Sequence, residues 1–428
     1  MRVLHVSPSF YPALMYGGPV MALYQLCLSQ LAAGYLVTVL TSDAAGAQRI
    51  YQLPTEQLPT EQLPAQQLPT QQFPTDARQR QPLPLSQVTD VYGVPTYYAP
   101  VWLRPDVAPG LVLPLARLIR AAQVVHVTGV FSVTSLLGLL AAAVARKPCV
   151  WSPHGALLPK ALQQGSAHKR RLLQLWAPVL RQVRGLHVNS QEEAAGLAQL
   201  RDQGLLHPKA VIRVLANGVS LAPPSQPPPA PELFASQPPQ LRPPRLLCLG
   251  RMHPVKRLEL AIDTLHALKA HHPAAELLLA APEPDPAYQA LLQQQAARLG
   301  IADSVHFLGP VSGSAKTDLL ASADVLLLTS HTESFGIVVA EALLAGTPAV
   351  AVHDTPWQLL PRAQVGDWVA ATPQALCTAL LPLLQTLRDP PQAQALRTRC
   401  QQLAQTHFAW PAIELELRQL YMEAMGAR

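Results

Sequence analysis

At 428 residues, 49% apolar and only 14% charged, the chain holds enough apolar surface for about two buried cores and reads as a globular protein. Its five cysteines are scattered and include no CxxC pair, which excludes a disulfide framework and a structural zinc site; its longest apolar runs fall short of the ~20 residues a membrane helix needs. The net charge of +6 is uneven, with 18 Lys and Arg against 9 Asp and Glu in residues 1–221, so the first half is the one expected to meet an anion.

The opening MRVLHVSPSF has no basic-then-apolar leader pattern and already alternates like a buried strand, so a cytoplasmic, reducing setting is expected. The pattern then reads strand (Arg2 to Ser9), helix (Pro19 to Ala33) and strand (Leu36 to Ser42). The turn before that helix is YGGP, where Gly17 and Gly18 would let backbone approach a ligand closely. From Gln52 to Thr75 runs a five-residue QLPTE repeat whose prolines forbid a regular helix or central strand. It is read as an insertion over 48–85, either a low-complexity surface loop or a partner-binding lid.

Strands follow at Val124 to Thr128, Cys149 to His154, Gly185 to Ser190 and Val211 to Leu215, separated by helical stretches, and strand–helix alternation of this kind predicts a parallel sheet. His154 ends its strand beside Gly155, at the edge where such sheets bind ligands; a structural histidine is the competing reading. The segment Pro159 to Arg184 carries seven Lys, Arg or His, no acid and one tryptophan, the pattern of an amphipathic helix lying on anionic lipid or of a solvated helix face.

A proline-rich stretch, 222–244, is read as a linker between a first domain over 1–221 and a second over 245–405. The second repeats the scheme: strand RLLCLG, helix RLELAIDTLHALKA, strand AELLLAA, helix AYQALLQQQAARLG, strand SVHFLG, helix AKTDLLASA, strand DVLLLTS, a further helix and strand TPAVAV. The fold class expected is therefore α/β, with two doubly wound parallel-sheet domains facing across a cleft.

Two carboxylates attract attention in HTESFGIVVAEALLAG, a strand-to-helix turn and its helix. Glu333 lies in the turn and Glu341 about two helical turns on, roughly 12 Å away along the axis if the helix were continuous. Glycoside hydrolases need ~5 to 9.5 Å between their carboxylates, so an acid–base pair is disfavoured. Each glutamate can instead accept hydrogen bonds from a vicinal diol, one at each end of an elongated ligand such as a nucleotide sugar. Between them the N–H groups of Phe335, Gly336 and Ile337 open a helix and favour negative charge. Arg251 and Lys256, in GRMHPVKR after the first strand of this half, could grip a phosphate, whereas Arg257 reads as a solvated helix start. No metal-ligand cluster, GxSxG or Walker A sequence is present.

Taken together, ESFGIVVAEALLAGTPAV, GRMHPVK, SPHG, YGGP and ANGV (Ala216 to Val219) resemble the retaining glycosyltransferases of family 4, which have the GT-B fold. The resemblance covers nearly the whole chain outside the QLPTE repeat. It implies transfer of a sugar from a nucleotide-diphosphate sugar, UDP- or GDP-linked, to a glycan or lipid-linked acceptor, in cell-surface polysaccharide or lipopolysaccharide synthesis. No metal or other cofactor is implied.

Carried over by motif, Glu341 would bind the ribose, Glu333 the hydroxyls of the transferred sugar, and Arg251 with Lys256 the diphosphate. Ser334, Phe335, Gly336 and Ile337 would line the donor site with Val311 beside the base. His154 would contact the sugar near the reacting carbon, and the Gly17–Gly18 turn would close over the phosphates. The catalytic set is thus His154, Arg251, Lys256 and Glu333. The last helix, from about Thr406 (406–428), would return to the first domain. Three departures stand out: Lys256-Arg257 replaces a usual Lys-Gly, a Thr-Pro-Trp segment (Thr355 to Trp357) stands where a glycine-rich loop is common, and the QLPTE insertion lies in the first domain, which the resemblance makes the acceptor-binding one, with the donor in the second. Location on the cytoplasmic face of an inner membrane is the further expectation, and a nucleotide-sugar epimerase or a silent binding protein on the same fold are the alternatives.

Overall fold

The computed structural model describes residues 1–13, 18–45, 48–50, 52–54, 80–82, 86–102, 107–158, 166–220, 242–281, 285–311 and 313–426. Most of the QLPTE repeat, most of the proline-rich stretch, Gly17 and the start of the basic segment lie outside the described residues. The chain divides into two compact units, one comprising Met1–Ala65, Phe73–Gly218 and Trp410–Arg428, the other Val219–Ala409.

In the first unit the elements run β1 (Arg2–Val6), α1 (Gly18–Ala32), β2 (Leu36–Ser42), β3 (Val88–Val91), β4 (Val94–Ala99), α2 (Val112–Ala121), β5 (Val124–Thr128), α3 (Val133–Val144), β6 (Cys149–Ser152), α4 (Ser166–Leu180), β7 (Gly185–Val188), α5 (Gln191–Asp202) and β8 (Val211–Val214). They build an eight-stranded sheet in the order β8-β7-β6-β5-β1-β2-β4-β3. All pairings are parallel except β3–β4. The central strands are near-continuous apolar runs because helices cover both faces, and Val3, Val125, Val150 and Trp151 are buried. The hairpin β3–β4 has no counterpart in the sequence reading. Tyr92 and Gly93 close it, both with positive φ (48° and 86°), as a two-residue hairpin turn requires. The chain returns to this unit at Trp410, and the helix Trp410–Gly426 packs on α1: Trp410 Nε1 donates to Gln25 (3.1 Å) and Gln30 Nε2 donates to the Tyr421 hydroxyl (3.0 Å).

The second unit runs β9 (Arg245–Leu249), α6 (Leu258–Leu268), β10 (Glu276–Ala280), α7 (Pro286–Arg298), β11 (Val305–Gly309), α8 (Gly313–Ser322), β12 (Val325–Leu328), α9 (Ile337–Leu344), β13 (Ala349–Val352), β14 (Gly366–Val369), α10 (Pro373–Arg388) and α11 (Pro390–His407). Its six strands lie in the order β11-β10-β9-β12-β13-β14, all parallel. This is the 3-2-1-4-5-6 order of a doubly wound nucleotide-binding sheet, and its switch point falls between β9 and β12. Helix α7 starts where Asp285 accepts from the N–H groups of Ala287 and Tyr288, with Pro286 at its first position. The strand β14 and the helices from Pro373 to His407 extend the sequence reading, which assigned no element between TPAVAV and Thr406.

Candidate functional site

Three loops leave the carboxyl edge of the second unit at its switch point: 250–257 after β9, 329–336 after β12 and 353–358 after β13. The first two are stitched together by backbone, since His331 N–H donates to Val255 C=O (2.8 Å) and Thr329 Oγ1 to Lys256 C=O (2.8 Å). Lys256 Nζ forms an ion pair with Glu333 Oε1, an oxygen that also accepts from Ser330 Oγ at 2.8 Å. Arg251 and Lys256 line one open cavity of about 350 Å³ together with Gly250, Thr329 and Ser330. Arg251 is exposed and, among the described residues, has no ion-pair partner.

Glycine is required at position 336. Its φ is 80°, and a Cβ there would lie 3.0 Å from both Leu328 Cδ2 and Trp357 Nε1. The Trp357 indole, almost fully buried, donates to the Phe335 carbonyl (2.6 Å) and packs against the Phe335 ring. Helix α9 therefore begins at Ile337 with Gly336 as its cap and no side-chain cap hydrogen bond, a bare helix start. Ser334, half-buried, precedes this turn.

Glu341 sits in the second turn of α9. One oxygen, Oε1, pairs with Lys316 Nζ at 2.6 Å; the other, Oε2, is buried and has no hydrogen-bond partner. Lys316 belongs to α8, whose entry follows Val311. The structure thus sets Arg251 and Lys256 on one cavity, ties Glu333, which does not line it, to Lys256, and separately pairs Glu341 with Lys316. Neither Glu341 nor Val311 lines the cavity that holds Arg251.

Two features escaped the sequence reading. Lys316 was not singled out, because its meaning lies in a contact 25 residues away on another helix. Arg257, expected to be a solvated helix start, is a correction: its side chain is only 15% exposed, hydrogen-bonds to His331 and pairs with Asp354 Oδ2 at 3.1 Å. Its backbone is left-handed, with φ 51°. Tertiary partners on two other loops, invisible in sequence, draw the guanidinium inward.

In the first unit His154 follows β6 with φ 50°, and Gly155 with φ 81°. The Asn189 side-chain amide donates to His154 Nδ1 (3.1 Å), and the buried Glu193 carboxylate accepts from the amides of Gly155 and Asn189. Glu193 is held in the first turn of α5, where the capping Ser190 Oγ accepts from its N–H at 3.2 Å. Burial lowers His154 to about 4, so the ring is neutral, and burial raises Glu193. Beneath lies a buried polar chain in which Tyr421 bonds His126 Nδ1 (2.7 Å), His126 Nε2 bonds Ser152 (2.6 Å), and Ser152 bonds His187 Nδ1 (2.9 Å). His154, His126, His187 and Asn217 line a cavity of about 330 Å³ with Trp410 and residues of α1. Gly18 is the first residue of α1, outside that lining.

A doubly wound sheet whose switch point carries two cations, and whose following helix carries a half-satisfied carboxylate, defines a class of nucleotide-binding α/β proteins. Sequence comparison makes the class specific. The family described as Glycosyltransferase Family 4 matches residues 16–223, and that described as Glycosyl transferases group 1 matches residues 230–366. The chain belongs to glycosyltransferase family 4, and its two parallel-sheet units are those of the GT-B fold.

Among curated relatives, glycogen synthase of Mycobacterium tuberculosis (strain CDC 1551 / Oshkosh) is 29% identical over 216 residues, 50% of this chain and 49% of the relative. D-inositol 3-phosphate glycosyltransferase of Salinispora arenicola is 32% identical over 194 residues, 42% of this chain and 41% of the relative. The chain spans about half the length of the curated relatives it matches. Among solved structures, sucrose-phosphate synthase from Thermosynechococcus elongatus superposes with a TM-score of 0.66 at 19% identity, covering 100% of both chains. HepE of Anabaena, in complex with UDP and glucose, superposes with a TM-score of 0.66 at 19% identity and covers 98% of both. Among the described residues no helix is long and apolar enough to cross a membrane, and no group of three or more His, Cys, Asp or Glu could hold a metal ion.

Proposed function

We propose that the chain is a retaining glycosyltransferase that moves a sugar from a nucleotide-diphosphate sugar to a glycan or lipid-linked acceptor. The observation that carries this reading is Glu341: one oxygen already accepts from Lys316, while the other is buried and has no hydrogen-bond partner. A buried acceptor left unpaired in the free protein costs stability unless a ligand completes it, and the vicinal hydroxyls of a ribose are donors of the right number. Arg251 and Lys256 take the diphosphate, and Glu333, already fixed by Lys256 and Ser330, takes hydroxyls of the transferred sugar. The bare start of α9 at Ile337, with Ser334, Phe335 and Gly336 before it, adds partial positive charge beside the phosphates.

In the reaction the bond from the sugar's anomeric carbon to the diphosphate oxygen breaks, and a bond to the acceptor oxygen forms on the same face. The departing phosphate takes the acceptor's proton. The negative charge on the leaving group is what Arg251 and Lys256 stabilise, so neither glutamate acts as acid or base. His154, neutral and oriented by Asn189, contacts the sugar near the reacting carbon. UDP is the first nucleotide to test, because the similar HepE structure holds UDP and glucose.

The setting we propose is cytoplasmic synthesis of a cell-surface polysaccharide or lipopolysaccharide, with peripheral contact to an anionic membrane through 159–184. On α4, Arg170 and Arg171 are exposed beside Leu175, which is 74% exposed, a mixed basic and apolar face suited to anionic lipid. The test of the central reading is a thermal-shift screen with UDP, GDP, ADP and their sugars, since a ligand at ~100 times its dissociation constant adds ~2.7 kcal/mol. A shift with one nucleotide, and nucleotide release that requires an acceptor, supports transfer. Epimerised free nucleotide sugar would favour the epimerase, and no shift with any nucleotide removes the transferase reading.

A further inference from the structure

The conformation of Arg257 is one that glycine adopts freely and a long side chain adopts at a cost. Something must offset that cost, and the side chain shows what does. Its Nε donates to His331 Nδ1 at 3.0 Å, and its Nη2 is shared, reaching His331 as well and pairing with Asp354 Oδ2 at 3.1 Å. His331 belongs to the loop after β12 and Asp354 to the loop after β13, while Arg257 itself ends the loop after β9. One guanidinium therefore ties together all three loops at the switch point, using the planar fork of donors that lysine lacks.

We infer that Arg257 is a positioning residue, a clasp that holds Lys256 and Glu333 in register for the diphosphate and sugar of the donor. Lys256 is its neighbour in the chain, and Glu333 lies two residues beyond His331. Slack at the clasp is therefore transmitted to both partners of the Lys256–Glu333 pair, whereas Glu341 and Lys316, on α9 and α8, stand apart from it. Asp354 supplies the anchoring charge from the loop whose Trp357 already supports Phe335 from the other side. The kinetic part of this inference rests on the transferase reading; the structural part does not.

The test compares wild type with Arg257→Gly, Arg257→Lys and Asp354→Asn in the full chain. Without ligand, amide hydrogen exchange in 329–337 should be at least tenfold faster in Arg257→Gly, with a melting temperature unchanged or raised because the backbone strain is gone. With UDP-glucose as the probe, donor affinity should fall at least fivefold and kcat with it, while affinity for uridine alone should stay within twofold. Arg257→Lys, which keeps the charge but cannot fork, should recover less than half of the loss, and Asp354→Asn should reproduce the faster exchange if Arg257→Gly folds poorly. Unchanged exchange in 329–337 overturns the clasp. Faster exchange with unaltered donor affinity and kcat overturns its positioning role. Failure of wild type to bind any nucleotide sugar sinks the transferase reading, and the exchange arm then still decides whether the clasp exists.

Discussion

Replacing Glu341 with alanine separates ligand binding from folding. In the free protein the substitution removes one ion pair to a partly exposed lysine, side-chain exposures being 27% for Lys316 and 13% for Glu341, and also removes an unpartnered buried oxygen. These effects oppose one another, so the free protein should change in stability by about 1 kcal/mol or less. In the complex, hydrogen bonds from two ribose hydroxyls to a carboxylate are lost, each of about 1.5 to 3 kcal/mol. At the lower end that is about 3 kcal/mol, or roughly 100-fold in dissociation constant. Calorimetric titration with the nucleotide that wild type binds, alongside urea unfolding of both proteins, measures the two quantities. Binding within threefold of wild type would refute the role given to Glu341, and so would a loss of free-protein stability as large as the loss of affinity.

Lys256→Met should lower kcat/KM by at least tenfold by removing charge from the leaving group, and steady-state kinetics with a saturating acceptor will reveal it. Gly336→Ala combines a positive φ with contacts at 3.0 Å and should cost about 2 to 3 kcal/mol, whereas Gly300→Ala, with φ 70° but nothing within 4 Å, should cost about 1; equal urea midpoints for the two would contradict the packing argument. His5 and His154 are lowered to about 4 and His187 to about 3, each chiefly by burial, against about 6.5 in the unfolded chain. Their folded values are depressed, so the unfolded state binds more protons as pH falls; stability is full above about 6.5 and is lost towards pH 4, at up to about 1.4 kcal/mol per pH unit for each ring. Urea midpoints that stay flat between pH 7 and 5 would contradict this. Arg170→Glu with Arg171→Glu should abolish flotation with anionic vesicles; unchanged flotation would move the membrane contact elsewhere.

The parallel strands were legible because each is a short apolar run bounded by turn residues, and β2, β5 and β12 stand within two residues of where the sequence put them, while β1 ends three residues earlier, at Val6. The hairpin Val88–Ala99 was not, since Pro95 disguises β4, whose identity rests on pairing with β2, and the short, largely exposed edge strand β3 is defined only by pairing with β4. HTESFG was readable as a strand-to-helix turn from its flanks alone, and that located Glu333 and Glu341 on their elements. What each carboxylate touches was not readable. Lys316 and Asp354 acquire their meaning only when α8 and the loop after β13 converge on the same edge, and no local spacing encodes that convergence. Arg257 misled for the same reason, because a cation before a helix looks solvated until its partners arrive.

The route of the chain out of the first unit at Gly218 and back at Trp410 has a consequence for synthesis. Val219 N–H donates to Phe408 C=O at 2.7 Å, closing the second unit where the chain enters and leaves it, and Gly218 lies directly against the Trp410 ring. Everything the second unit needs has been made by residue 409, but the first unit still lacks the helix that bonds Gln30 and His126 through Tyr421. The first unit is therefore discontinuous in the chain: its sheet is encoded before the second unit, but the helix that closes its histidine chain is encoded after it, so that closure cannot precede synthesis of the second unit.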